Sequence, residues 1–333
     1  VAVSDPVRVL VVHPGPHFSV ADVHRGWVKG LRACGAEVID FNFDHRLDFY
    51  ASHPGIETNQ DAARLAAKGI ESACYEFWPD VVVIISGFFI PPETFQILRS
   101  RGHKIILVHT ESPYEDLNQV KKAPSADLNI LNDPTNLDWF PPGSLYLPHA
   151  YDPDIHHRTA ATAAARSDFC FVGTGYPSRV KFFEQVDWSG IPTWLAGNWN
   201  HLTDSSPLLP FLAHGRDECC PNDQAAILYA STKASVNLYR KEAIESADGW
   251  AMGPREVELA ACGTFFLREP RPEGDVLFSM LPTFTCPGDF EEQLRWWLAH
   301  DDERRTAALK AREAVADRTF PTNAARALSA LGF

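Results

Sequence analysis

No apolar run in the 333-residue chain approaches the roughly 20 residues that a helix needs to cross a bilayer, and Val1 to Pro6 is short and polar rather than a leader. Membrane anchoring and secretion are therefore not expected, and a cytoplasmic location is. The seven cysteines (Cys34, Cys74, Cys170, Cys219, Cys220, Cys262 and Cys286) are odd in number and nowhere spaced as CxxC, which removes a disulfide framework and a zinc knuckle. A basic surplus is also lacking: net charge is −13, with 12 Lys and Arg against 20 Asp and Glu over residues 1–155, and 18 against 23 over 156–333. Generic binding to nucleic-acid phosphates is disfavoured by that balance. Neither a P-loop nor a G-x-G-x-x-G follows the first apolar run, so an ATPase or a NAD-dependent dehydrogenase loses its usual support. Among thirteen histidines, the pair His156 and His157 has no carboxylate or cysteine at metal-ligand spacing. No bound metal and no cofactor are expected.

What the chain does have is alternation. VRVLVV (Val7 to Val12) is a β-rich run suited to a strand buried on both faces, and a Pro/Gly turn (His13 to Phe18) follows it. Ser19 then caps a helix that stops at Gly35. EVIDFNF, DVVVIIS, KIILVH, LNIL and LYLP continue the strands to about Pro148, with helical spacing over 59–77 and 92–101. The segment His149 to Asp168 reads as a connection. A second alternation begins at FCFVG (Phe169 to Gly173) and ends in helices over about 289–300, 302–317 and 322–331. The expected fold is α/β: two Rossmann-like domains, 1–150 and 151–333, facing across a cleft, with the closing C-terminal helices in the second.

Three segments carry chemistry. HPGPHFS places Gly15 where backbone can approach a ligand at a strand's carboxyl end, and offers His17 as a general base; a rigid turn with a surface histidine explains it equally. FCFVGTGYPSRVKFF gives a strand, the turn Gly173, Thr174, Gly175, and a helix start with Arg179 and Lys181, a combination suited to a diphosphate, the alternative being a structural turn with two solvated cations. GPREVELAACGTFFL puts Arg255, Glu258 and Cys262 near one face of a short helix stopped by Gly263. There the carboxylate can accept both hydroxyls of a ribose and the arginine can bind phosphate, although an amphipathic helix with surface charges accounts for it almost as well.

In these motifs the chain resembles the spore-maturation (CgeB-type) branch of the retaining two-Rossmann, or GT-B, glycosyltransferases, which occur in bacteria and their phages. Arg255, Glu258, Ala261, Cys262 and Gly263 match that branch's R-x-x-E-x-x-A-C-G. FVGTGYPSR, ASTKASVNL with Asn237, LPHAYDP (Leu147 to Pro153) and RTFPTNAAR (Arg318 to Arg326) are similar to further family segments in the same order. The resemblance implies a nucleotide-sugar donor with Glu258 on its ribose. Arg255, Arg179 and the Gly173 to Gly175 turn then hold its phosphates, with Lys181, Asn237 and Gly263 around them, and transfer is metal-independent with retention. The family's sugar-contacting glutamate is replaced by Trp250, for which a packed core tryptophan is the simplest expectation and stacking on a sugar or base the functional one. His17 and Glu111, the latter in HTESPYED beside Thr110 and Tyr114, lie toward the acceptor; Asn132 and Asp133 read mainly as a turn before Pro134. A protein, a glycan or a modified nucleobase would serve as acceptor, DNA ranking last on charge. Nucleotide-sugar epimerisation and non-catalytic binding are the alternatives.

Overall fold

The computed structural model describes residues 5–16, 18–159, 161–242 and 249–333. The chain divides into two compact units, Val1–Pro148 with Thr319–Phe333, and His149–Arg318.

The first unit runs β1 (Arg8–Val12), α1 (Phe18–Ala33), β2 (Glu37–Phe41), α2 (Phe43–Ala51), α3 (Asn59–Phe77), β3 (Val81–Ile85), α4 (Pro92–Ser100), β4 (Lys104–His109), α5 (Asp116–Gln119), β5 (Leu128–Leu131) and β6 (Leu145–Tyr146). All six strands are parallel, in the order β2-β1-β3-β4-β5-β6. The continuous apolar runs are central: every residue of β3 and Val9 to Val12 of β1 have no exposed surface, as strands covered on both faces require. β2 stops two residues short of the segment EVIDFNF read as a strand, because Asn42 accepts a hydrogen bond from the His45 amide (2.9 Å) and caps α2.

The second unit runs β7 (Ser167–Val172), α6 (Pro177–Phe183), β8 (Thr193–Ala196), α7 (Asn222–Ser231), β9 (Thr232–Asn237), α8 (Pro254–Cys262), β10 (Phe265–Arg268), α9 (Pro272–Leu277), α10 (Pro287–Ala299) and α11 (Asp301–Ala314). Its four parallel strands lie in the order β10-β9-β7-β8. An aromatic core of Phe169, Phe171, Phe183, Trp188, Trp199 and Phe290 packs in edge-on and tilted pairs around β7. Among the described residues, no helix is long and apolar enough to cross a membrane.

The last helix, α12 (Phe320–Ala330), corrects one expectation: it groups with the first unit rather than with the second. Glycines at two positions four apart on α1 explain the return. A Cβ on Gly26 would lie 2.2 Å from the Phe320 ring, and one on Gly30 would lie 2.6 Å from the Phe320 carbonyl oxygen. Asn323 adds a hydrogen bond from Nδ2 to the Pro148 carbonyl (2.9 Å). Gly30→Ala is expected to lower the unfolding free energy in urea by about 1–3 kcal/mol through overpacking against backbone. That would outweigh the roughly 1 kcal/mol by which helix propensity favours alanine; a stabilised variant would show that α12 does not approach so closely.

Candidate functional site

From β7 the second unit's chain passes to β8 on one side and then to β9 on the other, so the order reverses between β7 and β9. In open parallel sheets such a switch point, at the strands' carboxyl ends, is where ligands bind. Arg255 occupies it. α8 starts with Pro254 in its first turn, which brings Arg255 over both strand ends. Its Nε donates to the Val172 carbonyl at the end of β7 (2.7 Å), its Nη1 donates to Asn237 Oδ1 at the end of β9 (2.9 Å), and the guanidinium lies 4.7 Å from the centre of the Phe171 ring. The third nitrogen, Nη2, stands 2.3 Å from where a Cβ on Gly173 would be, so glycine there makes room for the arginine. Among the described residues Nη2 donates to no acceptor. Asn237 is buried, and its Nδ2 also lacks a hydrogen-bond partner.

The turn after β7 departs from a phosphate cradle. The Gly173 amide donates to the Ala196 carbonyl (2.9 Å) and the Gly175 amide to the Asn198 carbonyl (2.8 Å), so neither is available to a ligand. Their glycines serve packing: a Cβ on Gly175 would lie 2.2 Å from the buried Trp199 ring, and one on Gly197 would lie 2.6 Å from the Gly173 carbonyl oxygen. Of the three turn residues, Thr174 alone has an amide that donates to no described acceptor. Arg179 is buried with Nη1 on the Thr174 carbonyl (2.9 Å) and Nη2 on the Leu238 carbonyl (2.7 Å), a strut under the switch point rather than a hand toward solvent. Burial, with repulsion from Arg255, pushes its guanidinium down to about 9. Lys181, about 200° around α6 from Arg179, is exposed and does not converge with it. The Ser178 amide at the start of α6 donates to the Glu242 carboxylate (2.8 Å), placing one of the chain's own anions where a phosphate was expected.

Glu258 lies three residues beyond Arg255 on the same face of α8, with its side chain 19% exposed and Oε1 4.0 Å from Nε2 of the buried His156. Gly263 ends α8 in the left-handed region (φ 73°), where a Cβ would meet only Arg312 Cδ at an ordinary 3.8 Å, so conformation rather than crowding selects glycine. Cys262 faces the core, its thiol pushed up to about 12 by burial. Trp250 is 39% exposed, which overturns the expectation of a core tryptophan.

Sequence reasoning passed over Glu256, which is wholly buried. Its Oε2 accepts the Tyr239 hydroxyl (2.5 Å) and the Gly253 amide (2.8 Å), and Oε1 has no hydrogen-bond partner. Arg271 sits 4.2 Å over the Tyr239 ring. The carboxylate thus ties the residues after β9 to the first turn of α8 and fixes where Arg255 emerges. Its signal in the sequence is position, since a glutamate at the third residue of a helix commonly reaches back to the capping amide.

In the first unit, His17 lies outside the described residues. Gly15 adopts φ +100° beneath Phe89, whose ring lies 2.9 Å from where a Cβ would be, so it is covered rather than open. Glu111 is half-buried, its amide bonded to Gln119 Oε1 (3.3 Å). Ser86, at φ +59°, and Thr110 share a 2.5 Å hydroxyl contact at the ends of β3 and β4, and Asn132 Nδ2 donates to the Thr110 carbonyl (3.2 Å). Asp133 forms the expected turn, its Oδ1 accepting the Thr135 amide (2.8 Å). The sheet order of this unit reverses at β1, and the histidine there is His13, half-buried and edge-on to His24 (4.8 Å between centroids), whose Nε2 is 3.1 Å from Asp40 Oδ1. Burial lowers His13 and holds His24 down to about 4. His24 shares the buried stripe of Trp27, Val28 and Leu31, a spacing that marks it as inward-facing. Among the described residues, no group of three or more His, Cys, Asp or Glu is placed to hold a metal ion.

A family model described as glycosyl transferase-like matches residues 158–330, which include Arg255 and Glu258. The chain belongs to the glycosyl transferase-like family. No curated protein matches it. Among solved structures it is similar to sucrose-phosphate synthase from Thermosynechococcus elongatus (TM-score 0.66, 10% identity, 98% of each chain covered). It is also similar to one described as a UDP-N-acetylglucosamine 2-epimerase from Listeria monocytogenes (0.64, 13%, 98% of this chain and 96% of that). A third is an alpha-glucosyltransferase in complex with UDP and a 13-mer DNA containing an HMU base (0.61, 11%, 98% and 99%). At these identities the likeness is one of fold, the α/β, GT-B fold expected from the sequence.

Burial raises the Glu256 carboxyl from 4.5 to about 7, against the lowering effect of the Tyr239 hydroxyl, the Gly253 amide, Arg268 and Arg255. The folded chain therefore holds a proton there that the unfolded chain has released, and stability falls as pH rises from about 4.5 to about 7. Glu256→Gln should remove that slope in denaturation measured across the window; an unchanged slope would place the titration elsewhere.

Proposed function

We propose that the chain transfers a sugar from a nucleoside diphosphate sugar to an acceptor, with the donor held at the switch point of the second unit. The observation that carries the reading is Arg255, which bridges the ends of β7 and β9 and still has donors on Nη2. Charge-assisted pairing of a guanidinium with phosphate oxygens suits those donors. Glu258, about one helical turn away, accepts the ribose hydroxyls. The buried Arg179 adds positive potential beneath, and the departing diphosphate is stabilised by these cations in a metal-independent transfer. The Thr174 amide is the remaining backbone donor in the turn.

The finer assignment is to the spore-maturation-type branch, supported by Arg255, Glu258, Ala261, Cys262 and Gly263 in register, with retention of configuration as that branch implies. Trp250, exposed where relatives carry a sugar-contacting glutamate, is assigned to stacking on the donor. His17 and Glu111 stay the candidates toward the acceptor, which is a protein, a glycan or a modified base.

Incubation with a panel of nucleotide sugars tests the reading. Donor hydrolysis, or transfer to an added acceptor, is the expected result; interconversion of donors would indicate an epimerase, and saturable binding without turnover a binding module. In parallel, at least one nucleoside diphosphate should raise the melting temperature. Arg255→Ala, confirmed folded, should weaken that binding by about 1.5–3 kcal/mol, as loss of a charged hydrogen bond does. No shift with any nucleoside diphosphate would sink the donor site.

A further inference from the structure

We infer that His156 is a positioning residue for Glu258, setting the carboxylate so that nucleotides with ribose hydroxyls are held in preference to their deoxy forms; this rests on the donor-site reading above. His156 is 2% exposed, and neither ring nitrogen has a hydrogen-bond partner. A buried imidazole left in that state carries the full cost of its lost hydration, which calls for a partner present in some other state of the site. The group in front of it is Glu258: Nε2 and Oε1 are 4.0 Å apart, too far for a hydrogen bond and about 1 Å from making one.

The carboxylate is the side that moves. His156 is fixed by its own turn, in which its amide donates to the Asp152 carbonyl (2.8 Å) and Asp152 Oδ1 accepts the Asp154 amide (2.9 Å). Glu258 is on a flexible side chain with 19% of its surface exposed. Direct contact between His156 and a ligand is excluded by access, because both ring nitrogens have no solvent-exposed surface and the carboxylate stands before Nε2. The imidazole therefore acts through Glu258. With the proton on Nε2, it donates to Oε1 and holds the carboxylate in one orientation. A carboxylate accepts as many as about four hydrogen bonds, so both oxygens can still receive the ribose hydroxyls. An acceptor fixed in this way discriminates against a sugar lacking the hydroxyl, whereas a mobile one turns to water. His157, adjacent in sequence, is exposed and has no such role.

Calorimetric titration with UDP, GDP and ADP and their 2′- and 3′-deoxy forms tests this as a cycle between side chain and ligand hydroxyl. The wild type should favour the ribonucleotide it binds best by about tenfold or more over a deoxy form. His156→Leu should lose about tenfold in ribonucleotide affinity and leave the deoxy affinity unchanged. His156→Gln, which keeps an N–H donor near Nε2, should retain the discrimination, and His157→Leu should change neither. Should His156→Leu not fold, His156→Met replaces it. Parallel loss for both ligands, or an unchanged ratio in His156→Leu, overturns the inference, as does wild-type binding without discrimination, which leaves the donor site standing. Absence of wild-type binding to every nucleotide overturns both.

Discussion

Two parallel strands that part at a switch point leave a carbonyl and a side-chain amide facing one gap, and in this molecule one guanidinium fills it. Arg255 holds Val172 and Asn237 together from α8, and much of the surrounding sequence follows from its bulk. Gly173 lacks a side chain because Nη2 takes that space, and Gly197 lacks one because the Gly173 backbone crosses there. Gly175 yields to Trp199, which with Phe171 floors the site. The same cation that organises the strand ends has donors left over on Nη2, the group on which the proposed donor site rests.

Two carboxylates two residues apart on α8 have been given opposite work by their surroundings. Glu256, buried against Tyr239 and Gly253, has its proton affinity raised and ties down the helix start. Glu258 is partly exposed with His156 behind it. Environment rather than residue type separates the buried fastening group from the partly exposed carboxylate proposed to meet the ribose.

Much of the fold was legible because parallel strands covered on both faces must be continuously apolar, as VRVLVV and VVVII are. The helix bearing Arg255 and Glu258 was legible from its Gly at the end and the three-residue spacing between the charges. Long-range pairing was not. A Gly-Thr-Gly turn before a basic helix start reads the same whether its amides face a phosphate or, as here, the carbonyls of Ala196 and Asn198. Arg179 likewise looks solvent-directed until its carbonyl partners 5 and 59 residues away are known. Nothing local announces that α12 returns to the first unit, since the reason lies in two small residues on α1. His156 and His157 are indistinguishable as letters, and only burial separates them.

A crystal structure with the tightest-binding nucleoside diphosphate tests the central claim most directly. The account predicts phosphate oxygens about 3 Å from Arg255 Nη2 and ribose hydroxyls on Glu258. A diphosphate seated elsewhere, for instance on the Ser178 amide in place of Glu242 with Arg255 Nη2 untouched, would contradict it.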